Sequence, residues 1–312
     1  QRSLARWLGR LAGLESLELP TDLPRPPQPS GYGDTVDFTV PPEQERALRT
    51  LARKHNATLY MVLLAAFQTL LMRYSGQTDF AVVVPTGGRL GAGSETSTGH
   101  FVNALVMRAD LSGDPAFTDL VARVREHTLD DYAHEVPFDV LVRHLNPERQ
   151  LDRNPVYQVA FVLQNLPDYD LSIGAAPAWL ESVDNGTARF DLALEMIESG
   201  EGIRGHLTYS TDLFERATIE RMAQHLCNLI GAIVENPQAR LSALPLMGRD
   251  ELDRLLVQFN DTARPYPLHK TLHQLFEEQA ARTPQAIAVV FEHQRLDYAS
   301  LNAQANRLAH HL

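Results

Sequence analysis

The sequence predicts an α/β sandwich. Apolar residues recur at the helical period in some segments, and in others they alternate with polar residues as they do in strands. These segments do not follow one another in strict strand–helix alternation, which favours a sandwich over a doubly wound parallel sheet. The length of 312 residues allows one large domain or two ordinary ones.

Composition limits the class of protein. Hydrophobic residues make up 44% of the chain and charged residues 21%, which is typical of a globular protein and not of a disordered one. With 28 Lys and Arg against 39 Asp and Glu, the net charge of -11 argues against a nucleic-acid-binding protein and a polybasic membrane anchor. The single cysteine, Cys227, excludes an intramolecular disulfide and a cysteine-based zinc site. The single cysteine also favours a reducing compartment, so we expect a cytoplasmic protein. Because charges run through residues 1–13, we expect no signal peptide there.

Local patterns predict the elements of the first part of the chain. An amphipathic helix at 3–13 precedes a connector at 20–29, whose five prolines forbid regular structure. The segment TVDFTV at 35–40 alternates like a strand, and Pro41 and Pro42 open a helix that runs to about His55.

The longest apolar run, from Leu59 to Met72, predicts a buried helix. Thr58 can cap its start and Gly76 its end. The run is shorter than the ~18–20 residues that a membrane span requires.

The middle of the chain predicts strands and helices around a glycine-rich loop. The segments 79–85 and 101–108 are predicted strands, and the loop between them, at 85–100, contains five glycines. Asp114 and Pro115 predict the N-cap and first position of a helix. The later elements are predicted in this order: strands at 156–164, 190–197 and 206–210, then a helix at 216–234.

The composition changes at 241–268, where short apolar patches alternate with turn residues, as in an interdomain linker. A second unit follows, and its predicted elements are a helix at 272–281, strands at 286–293 and 295–298, and a helix at 299–311. The chain starts at Gln1 and stops within a helical pattern without a C-cap, so we expect a piece of a longer protein. The predicted division is 1–240, 241–268 and 269–312.

No single motif specifies the chemistry. The glycine-rich loop has no Lys-Ser or Lys-Thr pair as in a P-loop, and GxGxxG is absent. The histidines form no HExxH pattern, and no GxSxG nucleophile elbow is present, although a Ser/His/Asp triad with other spacing stays open. Asp152 and Arg153, by their chemistry alone, predict a turn with a salt bridge. We therefore expect no directly bound cofactor and no metal.

Several segments, taken together and in this order, resemble one family. They are RWLGRLAG and LELPTDLPRP near the start, ATLYMVLLAAFQTLLMRYSGQTDFAVVVPTGGR at 57–89, GHFVNALVMR at 99–108, HEVPFD at 134–139, DRNPV at 152–156 and FDLALEM at 190–196. Over residues 1 to about 240 the chain resembles the C-terminal lobe of a condensation domain of non-ribosomal peptide synthetases. The segments at 272–298 and 296–309 resemble the start of an adenylation domain.

This resemblance implies a fold and a reaction. The fold is the C-terminal lobe of a chloramphenicol-acetyltransferase-like sandwich, followed by a short α/β start of an adenylate-forming domain. In the parent enzyme, which serves secondary-metabolite and antibiotic biosynthesis, an aminoacyl thioester attacks an acyl or peptidyl thioester to form an amide. Both substrates arrive on phosphopantetheine arms of carrier proteins. The implied partners are the donor and acceptor carrier proteins, the N-terminal lobe and the adenylation domain, and not nucleic acid or a membrane.

The resemblance also implies which residues act and which do not. The family's catalytic signature, HHxxxDG, does not occur in this sequence. Its one pair of adjacent histidines, His310 and His311, is followed only by Leu312. No residue of this chain is therefore assigned a catalytic role, and we expect the chain alone to be inactive while supplying one wall of the substrate tunnel. The motif matches imply supporting roles for Asn103, Arg153, Asp191, Arg89, His134 and Asp139.

The resemblance further implies that the loop at 85–100 and the stretch from Leu166 to about Arg189 reach toward the other lobe. Two alternatives stay open. The chain could be a stand-alone carrier-protein-binding module, or an acyltransferase of the same fold that uses acyl-CoA.

Overall fold

The computed structural model describes residues 2–88, 98–99, 101–145, 152–154, 156–164, 171–173, 176–178 and 184–312. Most of the predicted loop at 85–100 therefore lies outside the described residues. The chain divides into two compact units, Gln1–Leu252 and Asp253–Leu312.

The first unit contains helices and strands in mixed order, as predicted. Its elements are α1 (Arg2–Arg10), β1 (Gly33–Val40), α2 (Pro42–Lys54), α3 (Leu59–Ser75), β2 (Asp79–Thr86), β3 (Asn103–Asp110), α4 (Phe117–Ala133), α5 (Phe138–Leu145), β4 (Val159–Gln164), β5 (Leu171–Ile173), β6 (Ala176–Ala178), β7 (Leu192–Ser199), β8 (Gly202–Ser210), α6 (Arg216–Glu235), a 3-10 helix at Leu241–Ala243 and the start of α7 (Arg249–Leu256). The predicted ends of most helices and strands differ from the observed ends by a few residues. Helices α5 and α7 and the β5–β6 hairpin were not predicted.

Helix α3 confirms the predicted buried helix and both of its caps. The Thr58 hydroxyl accepts a hydrogen bond from the Met61 backbone N–H at 3.3 Å. Gly76 ends the helix in the left-handed conformation, with φ of 74°. Every residue from Met61 to Met72 is buried, so this helix is the centre of the apolar core.

No single described helix is long and apolar enough to cross a membrane. Helices α2 and α3 would meet the requirement of length and composition only as a pair, and they meet at a bend of 105°.

The main sheet of the described residues has six strands in the order β1-β8-β7-β4-β2-β3. Strand β4 runs parallel to both β2 and β7, and the other neighbouring strands are antiparallel. The sheet therefore brings together strands that are far apart in the sequence, with β1 beside β8 and β2 beside β4.

The strands β1, β7 and β8 bury one face only. Their alternate residues Val36, Leu194 and Leu207 lie in the main core together with residues of α3 and α6. The residues between them, such as Asp37 and His206, are exposed or half-buried. This alternation is the two-residue period of a strand with one wet face.

A second, smaller apolar cluster joins α1 and α5 to β2 and β3. It is formed by Trp7, Leu11, Ala81, Val84, Leu105, Val106, Met107, Leu141 and Val156. The indole N–H of Trp7 donates to the carbonyl oxygen of His134 at 2.8 Å, which anchors α1 to the segment before α5.

The prediction that Asp114 caps α4 is wrong. The residue before α4 is Ala116, and Asp114 has a positive φ of 48°. Its carboxylate accepts hydrogen bonds from the backbone N–H of Ser242 at 2.9 Å and from the Ser242 hydroxyl at 2.7 Å. Asp114 therefore holds the chain after α6, and it does so through a long-range partner that local sequence rules do not consider.

The second unit contains a 3-10 helix at Gln258–Asn260, α8 (Leu272–Arg282), β9 (Ile287–Phe291), β10 (Gln294–Asp297) and α9 (Tyr298–His311). Strands β9 and β10 form an antiparallel hairpin. Among its apolar residues only Ala280 is buried, while Leu272 is 87% and Phe291 68% exposed. This unit has almost no core of its own.

Candidate functional site

Asn103 ties the end of the β2–β3 hairpin to the segment that leads into α5. Its amide Nδ2 donates to Glu135 Oε1 at 2.8 Å and to the carbonyl oxygen of Val136 at 2.9 Å. Its Oδ1 accepts from the backbone N–H of Phe138 at 2.9 Å. The hydroxyl of Thr86, which pairs with Asn103 across the hairpin, donates to the same Glu135 oxygen at 2.6 Å. One carboxylate thus fastens both strand ends.

His134 and Asp139 lie on the same segment but point to local partners. His134 Nδ1 lies 2.9 Å from the carbonyl oxygen of Asp130, one helical turn earlier. Asp139, in the first turn of α5, forms an ion pair with Arg143. The Asp139 side chain is 69% exposed and the Arg143 side chain 71%. Both residues flank the segment 135–138 to which Asn103 bonds, but neither bonds to Asn103 itself.

Asp191 forms an ion pair with Arg25. The guanidinium donates to both carboxylate oxygens, in one case at 3.0 Å, and both side chains are mostly buried. The hydrogen bond to Asp191 raises the pKa of Arg25 above its usual value. The backbone of Asp191 is also held, because its N–H donates to the Gln158 carbonyl at 2.9 Å and its carbonyl accepts from Ser210. Asp191 thereby joins the proline-rich segment to β7.

Arg153 lies close to this ion pair. Its guanidinium donates to Glu18 and, at 3.4 Å, to Asp152. The contact with Asp152 is the turn-forming pair that the sequence predicts. Arg153 and Asp191 line one cavity of about 140 Å³, together with Arg25, Tyr157 and Phe190.

A row of aromatic rings connects the motifs. The rings of Phe138 and Tyr157 have centroids 5.4 Å apart, and those of Tyr157 and Phe190 are 5.9 Å apart. These are the distances of favourable tilted aromatic pairs. Burial raises the pKa of the Tyr157 hydroxyl, so it stays protonated at neutral pH. Phe138 belongs to HEVPFD, Tyr157 directly follows DRNPV, and Phe190 begins FDLALEM, so the row of rings connects these three motifs. The hydrogen bond from the Phe138 N–H to Asn103 connects GHFVN to them.

Sequence reasoning missed the residues that make these connections. Arg25 lies in the segment interpreted only as an extended connector, and Glu135 and Phe138 lie inside a motif from which other residues were chosen. The motif match itself was the signal for Glu135 and Phe138. No local pattern indicates Arg25. Arg89 lies outside the described residues, and the described part of the chain contains no group of three or more His, Cys, Asp and Glu side chains that could hold a metal.

Most of the chain matches one known family. The family described as "Condensation domain" matches residues 1–256. A linear gramicidin synthase of Brevibacillus parabrevis is 40% identical over 323 residues, which is 99% of this chain and 6% of that protein. Tyrocidine synthase 3 of the same organism is 41% identical, over 98% of this chain and 5% of that protein. The chain thus spans only a small part of the length of these curated relatives.

Solved structures show the same fold. The X-domain from teicoplanin biosynthesis is 29% identical with a TM-score of 0.73, over 79% of this chain and 57% of that one. The four-domain non-ribosomal peptide synthetase AB3403 is 22% identical with a TM-score of 0.82, over 100% of this chain and 25% of that one. The second likeness concerns fold alone. Together they confirm the predicted mixed α/β fold.

Proposed function

Because the chain belongs to the condensation-domain family of non-ribosomal peptide synthetases, we propose that residues 1–240 are the C-terminal lobe of an amide-forming condensation domain. The family match over residues 1–256 carries the proposal. The contacts that link GHFVN, HEVPFD, DRNPV and FDLALEM support it, since they make these motifs one connected part of the lobe.

The proposed reaction joins two tethered thioesters. The amine of the acceptor aminoacyl thioester attacks the carbonyl carbon of the donor thioester. A C–N bond forms and the C–S bond breaks, so the donor arm leaves as a thiolate. The amine loses one proton, and the uptake of one proton by the thiolate gives the neutral thiol. Holding both reactants in one place supplies much of the rate, because well-oriented groups reach effective molarities of ~10⁵–10⁸ M.

In this proposal the chain positions substrates and does not perform proton transfer. Asn103 and Glu135 fix the adjacent ends of β2 and β3 at the tunnel wall. Arg25 fixes the side chain of Asp191, and both residues line the cavity of about 140 Å³. The substrates come on phosphopantetheine arms of donor and acceptor carrier proteins. The group that handles the proton belongs to the N-terminal lobe, where the family carries HHxxxDG.

The experiment offers carrier proteins, loaded on both sides, to the chain alone, to an N-terminal lobe alone and to the two together. We expect dipeptide on the acceptor carrier, detected by mass spectrometry, only from the combination. Dipeptide from this chain alone would contradict the proposal and favour an acyltransferase with its own catalytic residues. Carrier binding without product from the combination would favour the stand-alone binding module.

We also propose the division 1–240, 241–268 and 269–312, with the last segment as the start of an adenylation domain. The nearly coreless second unit and the exposed residues Val257, Phe259 and Leu268 support a linker there. Limited proteolysis should cut first between Met247 and His269. A first cut within 101–165 would contradict the boundary.

A further inference from the structure

Gln68 places an amide group inside the apolar core. It lies in α3, where every residue from Met61 to Met72 is buried, and it is itself only 2% exposed. Its Oε1 atom is enclosed and accepts no hydrogen bond from the described residues, and its Nε2 atom donates to none of them. A buried amide without a partner destabilises the folded state, so proteins pair such groups with other protein atoms or with ordered water.

The neighbouring polar residue of α3 is satisfied within the helix. The hydroxyl of Thr69 donates to the carbonyl oxygen of Ala65, one helical turn earlier, at 2.8 Å. The longer side chain of Gln68 makes no such bond and lies against α4 and β3 instead. Its partner must therefore come from the space between these elements.

Gln68 lines a small cavity between α3, β3 and α4. The volume of this cavity is about 10 Å³. A buried water molecule needs about 10–15 Å³ on this measure, so the cavity has room for one water molecule and for no larger ligand. Two other polar residues of the lining, His127 and Thr128, come from α4.

The acidic and arginine side chains that line the cavity are already paired. Each of them has a group of opposite charge at an N···O distance between 2.5 and 3.6 Å. The pairs are Asp131 with Arg6 and Arg10, Arg108 with Asp79, and Asp110 with Arg123. The lining therefore offers no unpaired charge that would favour an ion over a neutral molecule.

The neutral polar groups of the lining are not paired. The hydroxyl of Thr128, a residue that is 3% exposed, and the ring nitrogens of His127 form no hydrogen bond with a described residue. Burial and the charge of Arg10 lower the pKa of His127, so its imidazole is neutral at pH 7 and has one donor and one acceptor nitrogen. Gln68, Thr128 and His127 each offer both a donor and an acceptor. A small neutral molecule that also donates and accepts complements them.

We propose that this cavity binds one structural water molecule, which joins α3 to α4. The water donates a hydrogen bond to Gln68 Oε1, and the Thr128 hydroxyl and the His127 ring are its other partners. Buried water in proteins makes about three such bonds, which matches these three side chains. The site explains why an amide stands in the middle of the most apolar helix, and it does not depend on the proposed function.

The test combines a crystal structure of the full chain with magnetic relaxation dispersion of water ¹⁷O, which counts long-lived bound water molecules in solution. Two variants remove partners of the water and keep the size of the side chain. Gln68→Met removes both amide atoms, and Thr128→Val removes the hydroxyl. The matched control is Gln224→Met, because Gln224 is an exposed glutamine on α6.

We expect one peak of electron density at hydrogen-bond distance, about 2.5–3.0 Å, from Gln68 Oε1 in the wild type. The wild type and Gln224→Met should hold about one more long-lived water per molecule than Gln68→Met, and Thr128→Val should shorten the residence time of that water.

Four results would each overturn the site. They are no density beside Gln68, density that fits only a cation, an equal water count in the wild type and Gln68→Met, and an unchanged residence time in Thr128→Val. The wild-type crystal structure decides by itself if Gln68→Met does not fold. Dipeptide formation by the combined lobes is a separate measurement, so the water site can fail while the proposed function stands.

Discussion

Gly205 lies directly opposite Phe38 in the register of β1 and β8, and the Phe38 ring covers the glycine. A Cβ atom at residue 205 would lie 2.1 Å from Cζ of that ring. The absence of a side chain at 205 is thus what allows the aromatic ring to pack across the sheet.

Gly205→Ala should therefore destabilise the protein by about 1–3 kcal/mol, because an overpacked site displaces its neighbours. Chemical denaturation measures the change. Combining it with Phe38→Ala should cost less than the sum of the two single changes. Gly231→Ala is the control: this glycine lies inside α6 with room for a methyl group, so the substitution should stabilise by up to about 1 kcal/mol. Equal effects of the two alanines would contradict the packing argument.

Asn103→Asp should weaken the hold on the segment before α5. The substitution keeps the acceptor for the Phe138 N–H but places a carboxylate where Nδ2 now donates to Glu135. We expect a loss of about 1–3 kcal/mol, because the substitution sets two carboxylates side by side and takes one donor away from the half-buried Glu135 oxygen. Denaturation at neutral pH is the measurement.

Adding Glu135→Gln to Asn103→Asp should restore much of that loss, because the second change removes the opposed negative charge. Thr86 can still donate to the glutamine oxygen. A double variant no more stable than Asn103→Asp would show that charge repulsion is not the cause.

The Arg25–Asp191 pair should show a measurable coupling energy. In a cycle of Arg25→Ala, Asp191→Ala and the double variant, we expect about 0.5–3 kcal/mol, because both side chains are mostly buried. The exposed pair Arg216–Glu220 is the matched control, and its coupling should be smaller because water screens both side chains. A coupling for Arg25 and Asp191 no larger than the control's would contradict a structural role for the pair.

Asp114 should make stability depend on pH in the acid range. Hydrogen bonds from the Ser242 hydroxyl and backbone N–H hold the pKa of Asp114 below its ordinary value of 3.8. The unfolded chain then takes up this proton at a higher pH than the folded protein does. The contribution is present above about pH 4 and is lost as the pH falls below it.

Asp114→Asn removes this titration while asparagine still tolerates the positive φ. The difference in unfolding free energy between the wild type and this variant should therefore shrink as the pH falls below about 4. A constant difference between the wild type and Asp114→Asn from pH 7 to pH 3 would contradict the assignment.

Much of the fold was accessible from short stretches of sequence. The caps Thr58 and Gly76, the period of α6 and the alternation in β1 each depend on residues within one or two turns or a single strand. Asp114 shows the limit of such reasoning. Its position before a proline indicates a helix cap, but its carboxylate binds Ser242, a residue more than a hundred positions away.

The candidate site shows the same division. The motifs around Asn103, Arg153 and Asp191 could be recognised in the sequence. Their bonds to Glu135, Glu18 and Arg25 could not be predicted, because these pairs meet only through packing. Arg89 lies outside the described residues, and the supporting roles of Asn103, Arg153, Asp191, His134 and Asp139 stay predictions, as does that of Arg89.

The sequence by itself determined most of the helices and strands, because propensity, capping and hydrophobic period act between near neighbours. Its motifs also determined the family. Only the tertiary structure decided which strands pair and in which register. That pairing places Asp37, His206 and Glu195 in one row. The packing of α5 brings Phe138 beside Tyr157. Register depends on burying one face of a whole sheet at once, and a shift of one residue would turn every side chain of a strand to the opposite face.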